Sequence, residues 1–278
     1  MMAPVPPAPS MDRYAVIGNP VAHSRSPDIH ALFARETGEP IAYERLLAPI
    51  GQFEHVAREF FAGGGRGANV TLPFKVDAWR LATDRTGRAE LAGAVNWLAV
   101  GDGRIAGDNT DGAGLVADLT GNLGIALAGR RILLVGAGGA SRGVVAPLLA
   151  ERPAQLVIAN RTKSRAVELA DRFAPLGPVA GAGLDELAGD FDVVVNATSS
   201  STHGERLALP AGVLRAGMAA YDMAYGPAAG AFLDEARAAG ARAEDGLGML
   251  VEQAAESFRL WRGKRPRTAP VIAALRGA

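Results

Sequence analysis

The chain has 278 residues, 49% hydrophobic and 21% charged, which excludes a disordered, collagen-like or disulfide-framed protein and predicts one large or two modest globular domains. Its 29 basic and 29 acidic side chains cancel, so no global field gathers nucleic acid or anionic lipid, and any anion site must be local. With no cysteine there is no thiolate nucleophile, and His23, His30, His55 and His203 lack metal-ligand spacing, so no metal is expected.

The opening MMAPVPPAPS lacks the basic and apolar regions of a signal peptide and reads as a disordered tail over 1–10. From Tyr14, β-branched runs alternate with helix-like stretches: YAVIG, SPDIHALFARETG, IAYERLLAP, QFEHVAREFFAGG, GANVTL and PFKVDAWRLA. This rhythm predicts a mainly parallel sheet covered by helices. Ser26 before Pro27 reads as a helix cap and first helical residue, Pro73 is placed to open another helix, and the glycines at 63–65 end the helix before them. After the turn LAGR come RRILLVGAGGASRGVVAPLLA, AQLVIANRTKSRAVELADRFA, FDVVVNATSS and MAAYDMAYG. Short apolar strands ahead of each helix or loop predict a doubly wound nucleotide-binding unit. The apolar helix GLGMLVEQAAESFRLWRG and a last one, TAPVIAALRG, are expected to return to the first domain. No apolar run approaches the roughly 18 residues that a membrane span needs. The expected fold is therefore α/β with two α/β domains. A parallel-sheet first domain spans 11–111 and is completed by C-terminal helices in 248–278; a Rossmann-type, nucleotide-binding domain spans 112–247.

The run RILLVGAGGASRG places a buried-strand pattern directly before Gly136, Ala137, Gly138, Gly139 and Ala140, with a helix following. Glycines there permit a tight turn and let backbone N–H groups approach a pyrophosphate at a helix N-terminus. Ser141 stands where G-x-G-x-x-G has its third glycine, so a turn serving only packing is the alternative. After the strand QLVIA, an NAD-preferring unit would carry an acid for the ribose hydroxyls. This chain has Asn160, Arg161, Thr162, Lys163, Ser164 and Arg165. Guanidinium groups suit a 2′-phosphate that an acid would repel, which points to NADP(H); a solvated helix face is the alternative.

In order, YAVIGNPVAHSRSP, GANVTLPFK, LAGAVNW, GDNTDG, GAGGASRG, NRTKSRA, NATSS, YDMAY and DGLGMLVEQA resemble the shikimate dehydrogenases, over nearly everything from Tyr14 to about Ile272. The resemblance implies reversible, NADPH-dependent reduction of 3-dehydroshikimate to shikimate in aromatic amino-acid biosynthesis, in the cytoplasm. It implies Lys75 and Asp111 as the catalytic pair, the lysine as acid and base. Ser24 and Ser26 are implied for the substrate carboxylate, with Thr71, Asn96, Asp111, Tyr225 and Gln253 as further substrate contacts and Asn69 holding the loop. Around the cofactor it adds Ala197, Thr198, Ser199, Met223 and Gly246.

Read without the family, Lys75 is a cation in the first turn of a helix, Asn109–Thr110–Asp111 is a capping cluster, and Met223 is equally core filler. Three positions depart from the family pattern: Trp97 in place of Thr, Ser201 in place of Gly, and Ala224 within YDMAY. The expected partners are small molecules alone, with no nucleic acid or membrane, in a monomer or homodimer. Rival readings are a quinate/shikimate dehydrogenase with relaxed cofactor use and a non-catalytic, NADP- or metabolite-sensing protein on the same scaffold.

Overall fold

The computed structural model describes residues 11–198 and 206–277; the segment read as a tail, and Ser199, Ser201 and His203, lie outside them. The first part of the chain runs β1 (Asp12–Gly18), α1 (Ser26–Thr37), β2 (Ile41–Leu47), α2 (Phe53–Ala62), β3 (Gly65–Val70), α3 (Lys75–Leu81), β4 (Asp84–Arg85), α4 (Gly87–Ala92), β5 (Trp97–Gly101) and β6 (Arg104–Asp108). These strands form one sheet in the order β2-β1-β3-β5-β6-β4. It is mainly parallel rather than wholly so, because β5 runs antiparallel to both β3 and β6. The cause is local. Asp102 and Gly103 both adopt positive φ, 50° and 73°, the pair of left-handed residues that a two-residue hairpin requires.

α5 (Asp111–Ala117) runs on into one π-helical turn at Asp118–Asn122 and leads to the second sheet. Then come β7 (Arg131–Val135), α6 (Gly139–Ala150), β8 (Gln155–Asn160), α7 (Lys163–Phe173), β9 (Val179–Gly183), β10 (Val193–Asn196), β11 (Ala219–Asp222), α8 (Gly230–Ala238), β12 (Arg242–Asp245), α9 (Leu247–Arg262) and α10 (Ala269–Arg276). All pairings are parallel, in the order β12-β11-β10-β7-β8-β9. The direction of winding reverses between β7 and β10, where a doubly wound sheet opens a crevice at its C-terminal edge. The apolar residues of β7 and β10 are buried on both faces, which explains why their sequences are continuous rather than alternating.

Helices α9 and α10 pack back on the first sheet. Val251, Phe258, Val271 and Leu275 share one core with Tyr14, Ile29, Phe33 and Ile41, while Phe53, Phe74, Ala78 and Leu98 fill the opposite face. Each such large side chain withdrawn from water stabilises the fold by about 1.5–3 kcal/mol. Two local expectations are corrected. Arg25, not Ser26, occupies the cap position of α1, its carbonyl accepting from the Ile29 N–H; the Ser26 N–H is taken by Ser24 Oγ at 3.3 Å, which draws Ser26 into the first turn. Pro73 does not open α3. It lies in a turn closed by the Phe74 N–H on the Thr71 carbonyl, after a cis Leu72–Pro73 peptide, so the helix begins at Lys75. Gly63 ends α2 by donating to the Glu59 carbonyl, as the glycine run predicts. Among the described residues no helix is long and apolar enough to cross a membrane.

Candidate active site

The C-terminal edges of the two sheets face each other across a cleft of about 970 Å³. On the first wall, Lys75 opens α3 and Asp111 opens α5, and the Lys75 ammonium donates to Asp111 Oδ2 at 2.6 Å. The lysine side chain is 18% exposed and the aspartate 8%, so the pair is largely shielded yet borders the cleft. Asp111 is held from several directions. Asn96 Nδ2 donates to its other oxygen at 2.8 Å, the Thr110 N–H fixes Asn96 by donating to Oδ1 at 2.8 Å, and Asn109 Oδ1 accepts the Asp111 N–H. Thr110, at the cap position, makes no side-chain cap bond. The cluster's polar groups are thus turned toward one another and the cleft, and capping alone does not account for them.

Ser24, in the loop after β1, and Ser26, the first residue of α1, line the cleft with their hydroxyls 3.2 Å apart, and Thr71 joins them from the loop after β3. Gln253 reaches in from α9; its Nε2 donates to the Leu250 carbonyl, and its Oε1 lies 3.4 Å from both Asn96 Nδ2 and Thr110 Oγ1. Asn69 braces this array, donating to the Asn96 carbonyl and to Ser257 Oγ while accepting from the Tyr43 hydroxyl at 2.8 Å. Tyr225 enters from the segment after β11; burial raises its pKa, opposed by the Arg25 charge. Trp97 lies behind the wall, stacked on Trp261 and donating its indole N–H to the Ser257 carbonyl at 3.1 Å. The cleft also receives His23, which sequence reasoning did not nominate although it stands beside Ser24 in AHSRSP.

The second wall is mostly backbone. Gly136 has φ +112°, and a Cβ there would sit 3.1 Å from the Ala197 carbonyl oxygen, so the turn needs glycine. Gly138 caps α6, and a Cβ on Gly138 or Gly139 would meet nothing within 4 Å. That open cradle at the start of a twelve-residue helix fits a pyrophosphate. Asn160, Arg161 and Arg165 rim the cleft beyond it, and among the described residues neither guanidinium has an ion-pair partner. Thr162 lies off the cleft wall, its carbonyl accepting from Asn160 Nδ2. Ala137, Ala140, Ala197, Thr198, Met223, Ala224 and Gly246 complete the wall; Ser199 lies outside the described residues. Gly246 has no room for a side chain, since its Cβ would fall 2.4 Å from the Met223 carbonyl oxygen.

Set against known proteins, residues 16–98 match the family described as the shikimate dehydrogenase substrate binding domain, 118–206 match shikimate / quinate 5-dehydrogenase, and 246–276 match the shikimate 5′-dehydrogenase C-terminal domain. A protein of Alkalilimnicola ehrlichii named shikimate dehydrogenase (NADP(+)) is 58% identical, over 95% of this chain and 98% of that one. Among solved structures, the Ael1 enzyme of Pseudomonas putida superimposes with a TM-score of 0.89 at 46% identity, covering 95% of this chain and 98% of that one. The shikimate 5-dehydrogenase of Thermus thermophilus, solved with NADP(H) and shikimate, gives 0.84 at 36% identity, covering 96% and 99%.

Proposed function

The chain belongs to the shikimate dehydrogenase family, and from that premise we propose how its cleft carries out the NADPH-dependent, reversible reduction of 3-dehydroshikimate to shikimate. Bound NADPH supplies a hydride to the ring ketone. What remains for the protein is to bind, orient and manage one proton. As the ketone becomes an alkoxide, the Lys75 ammonium gives its proton to that oxygen, and in the reverse direction the amine takes it from the hydroxyl. Asp111 holds the ammonium and stabilises its charge; a carboxylate has lone pairs left for a substrate hydroxyl even with Lys75 and Asn96 in place. Ser24 and Ser26 donate to the substrate carboxylate. Thr71, Asn96, Tyr225 and Gln253 take the ring hydroxyls.

On the other wall, Gly136, Ala137, Gly138, Gly139 and Ala140 cradle the pyrophosphate. Asn160, Arg161 and Arg165 take the 2′-phosphate end, and Ala197, Thr198, Met223 and Gly246 line the rest of the cofactor site, with Met223 near the nicotinamide. This division of labour follows a first domain of 11–111 with 248–278 and a second of 112–247. The setting is the cytoplasm, the protein is a monomer or homodimer, and its partners are the two small molecules.

The observation that carries the reading is the 2.6 Å Lys75–Asp111 contact, fixed by Asn96, in a shared cleft with the open glycine turn. Lys75→Ala should cut kcat by about 10²- to 10⁴-fold, the usual contribution of a positioned acid or base, while NADP+ binding by fluorescence is retained. Lys75→Arg should not restore the rate, because a guanidinium is too weak an acid to exchange protons near neutral pH. Near-normal turnover in Lys75→Ala refutes the assignment, and full rescue by arginine reduces Lys75 to an electrostatic clamp.

A further inference from the structure

We infer that Arg45, on β2, is a positioning residue for the substrate carboxylate: it clamps the peptide that presents Ser24 and adds positive charge to that end of the cleft. The inference rests on the reading that Ser24 and Ser26 bind the carboxylate. The loop between β1 and α1 is anchored at its near end, where Asn19 donates its N–H to the Leu72 carbonyl and its side-chain amide to the Ala48 carbonyl. At its far end the Ser24 N–H closes a turn on the Val21 carbonyl, and the Ser24 carbonyl accepts from Arg45 Nε at 2.9 Å and Nη2 at 2.6 Å. Both donors of one guanidinium edge on a single oxygen fix the tilt of that peptide. With it they fix the Ser24 hydroxyl, 3.2 Å from Ser26 Oγ.

Arg45 is not among the residues lining the cleft, so it acts through Ser24 rather than by contact. Its charge is only partly balanced. Asp28 lies 3.8 Å from Arg45 and 3.6 Å from Arg25, one carboxylate shared between two guanidiniums. Because Arg45 is about a third exposed, solvent screens this field, and the clamp is the larger effect.

The test measures shikimate oxidation in the full-length enzyme carrying Arg45→Gln, Arg45→Lys or Ser24→Ala, with shikimate and its neutral methyl ester as substrates. Arg45→Gln should raise KM for shikimate about tenfold, with kcat changed less than about twofold and NADP+ affinity unchanged. The lysine variant, which keeps the charge but cannot fork, should fall between it and the wild type. With the methyl ester the Arg45→Gln penalty should shrink below about twofold, which a general loosening of the fold would not produce.

If Ser24→Ala leaves KM for shikimate unchanged, the carboxylate reading and this inference fall together. If Ser24→Ala raises KM and Arg45→Gln does not, only the inference falls; an equal penalty on acid and ester also overturns it. Should Arg45→Gln lose its cooperative melt, Arg45→Lys decides: a raised KM at unchanged Tm supports the clamp, and an unchanged KM refutes it.

Discussion

On the wall carried by the first sheet, polar side chains hold one another: Tyr43 holds Asn69, Asn69 meets Ser257 and the Asn96 carbonyl, and Asn96 fixes Asp111 against Lys75. On the facing wall the cofactor turn is shaped by backbone and empty space, and Arg161 and Arg165 at its rim are exposed and without an ion-pair partner among the described residues. The difference follows from what each must recognise. A small ring with several hydroxyls is read by directional donors and acceptors that must be ordered before it arrives, which costs side-chain entropy during folding. A pyrophosphate is accepted by N–H groups and a helix terminus already fixed by the turn, and a 2′-phosphate by exposed cations.

After Lys75→Ala, the largest expected loss lies on the second wall. Arg161→Ala should remove a charge-assisted contact worth roughly 1.5–3 kcal/mol and erode the preference for NADP+ over NAD+ in kcat/KM. Shikimate KM should stay as it is, and an unchanged cofactor ratio would remove Arg161 from the 2′-phosphate site.

A slightly smaller effect tests the support behind the first wall. His30 is fully buried and stacks on Tyr43, ring centroids 4.2 Å apart; burial lowers its pKa from 6.5 to about 3. Between those values the unfolded chain binds the proton and the folded one does not. Stability is therefore complete above pH 6.5 and is lost as the pH falls toward about 3. From pH 7 to pH 5 the loss should be roughly 2 kcal/mol by urea unfolding. His30→Phe, which keeps the stack but cannot titrate, should flatten that part of the profile; an identical slope in the variant would exclude His30 as its source.

The smallest effect sharpens the contrast. Gly138→Ala adds a methyl group where nothing lies within 4 Å, at a φ of −88° open to any residue. Tm should be unchanged, while NADP+ binds about fivefold more weakly, about 1 kcal/mol, because the methyl group occupies the cradle. A lowered Tm with unaltered cofactor binding would show instead that the turn serves packing.

Legibility from the sequence divides along the same line. The glycine turn and the arginines after QLVIA are each consecutive residues at the end of one strand, so local pattern was enough to nominate them and to suggest NADP(H). The first wall draws on Asn69, Lys75, Asn96, Asp111 and Gln253, brought together only by the sheet order and by α9 folding back. No periodicity reports such distances, and only the family resemblance singled these residues out. Their supports stayed hidden for the same reason: Ser257 reads as a filler within a helix, and Tyr43 and Arg45 as ordinary strand residues. The antiparallel β5 was within reach, since Asp102–Gly103 is a strong two-residue hairpin signal between short apolar runs. The displaced start of α1 was not, because Ser24 competes for the Ser26 N–H through a turn two residues long.

The most direct measurement is the appearance of reduced-nicotinamide absorbance when shikimate is added to the protein with NADP+, run beside quinate and NAD+ in all four pairings. The predicted result is rapid, catalytic reduction with shikimate and NADP+, and far lower kcat/KM in every other pairing. Comparable rates with quinate or NAD+ would point to a relaxed quinate/shikimate enzyme, and binding of NADP+ without turnover on shikimate would contradict the catalytic account altogether.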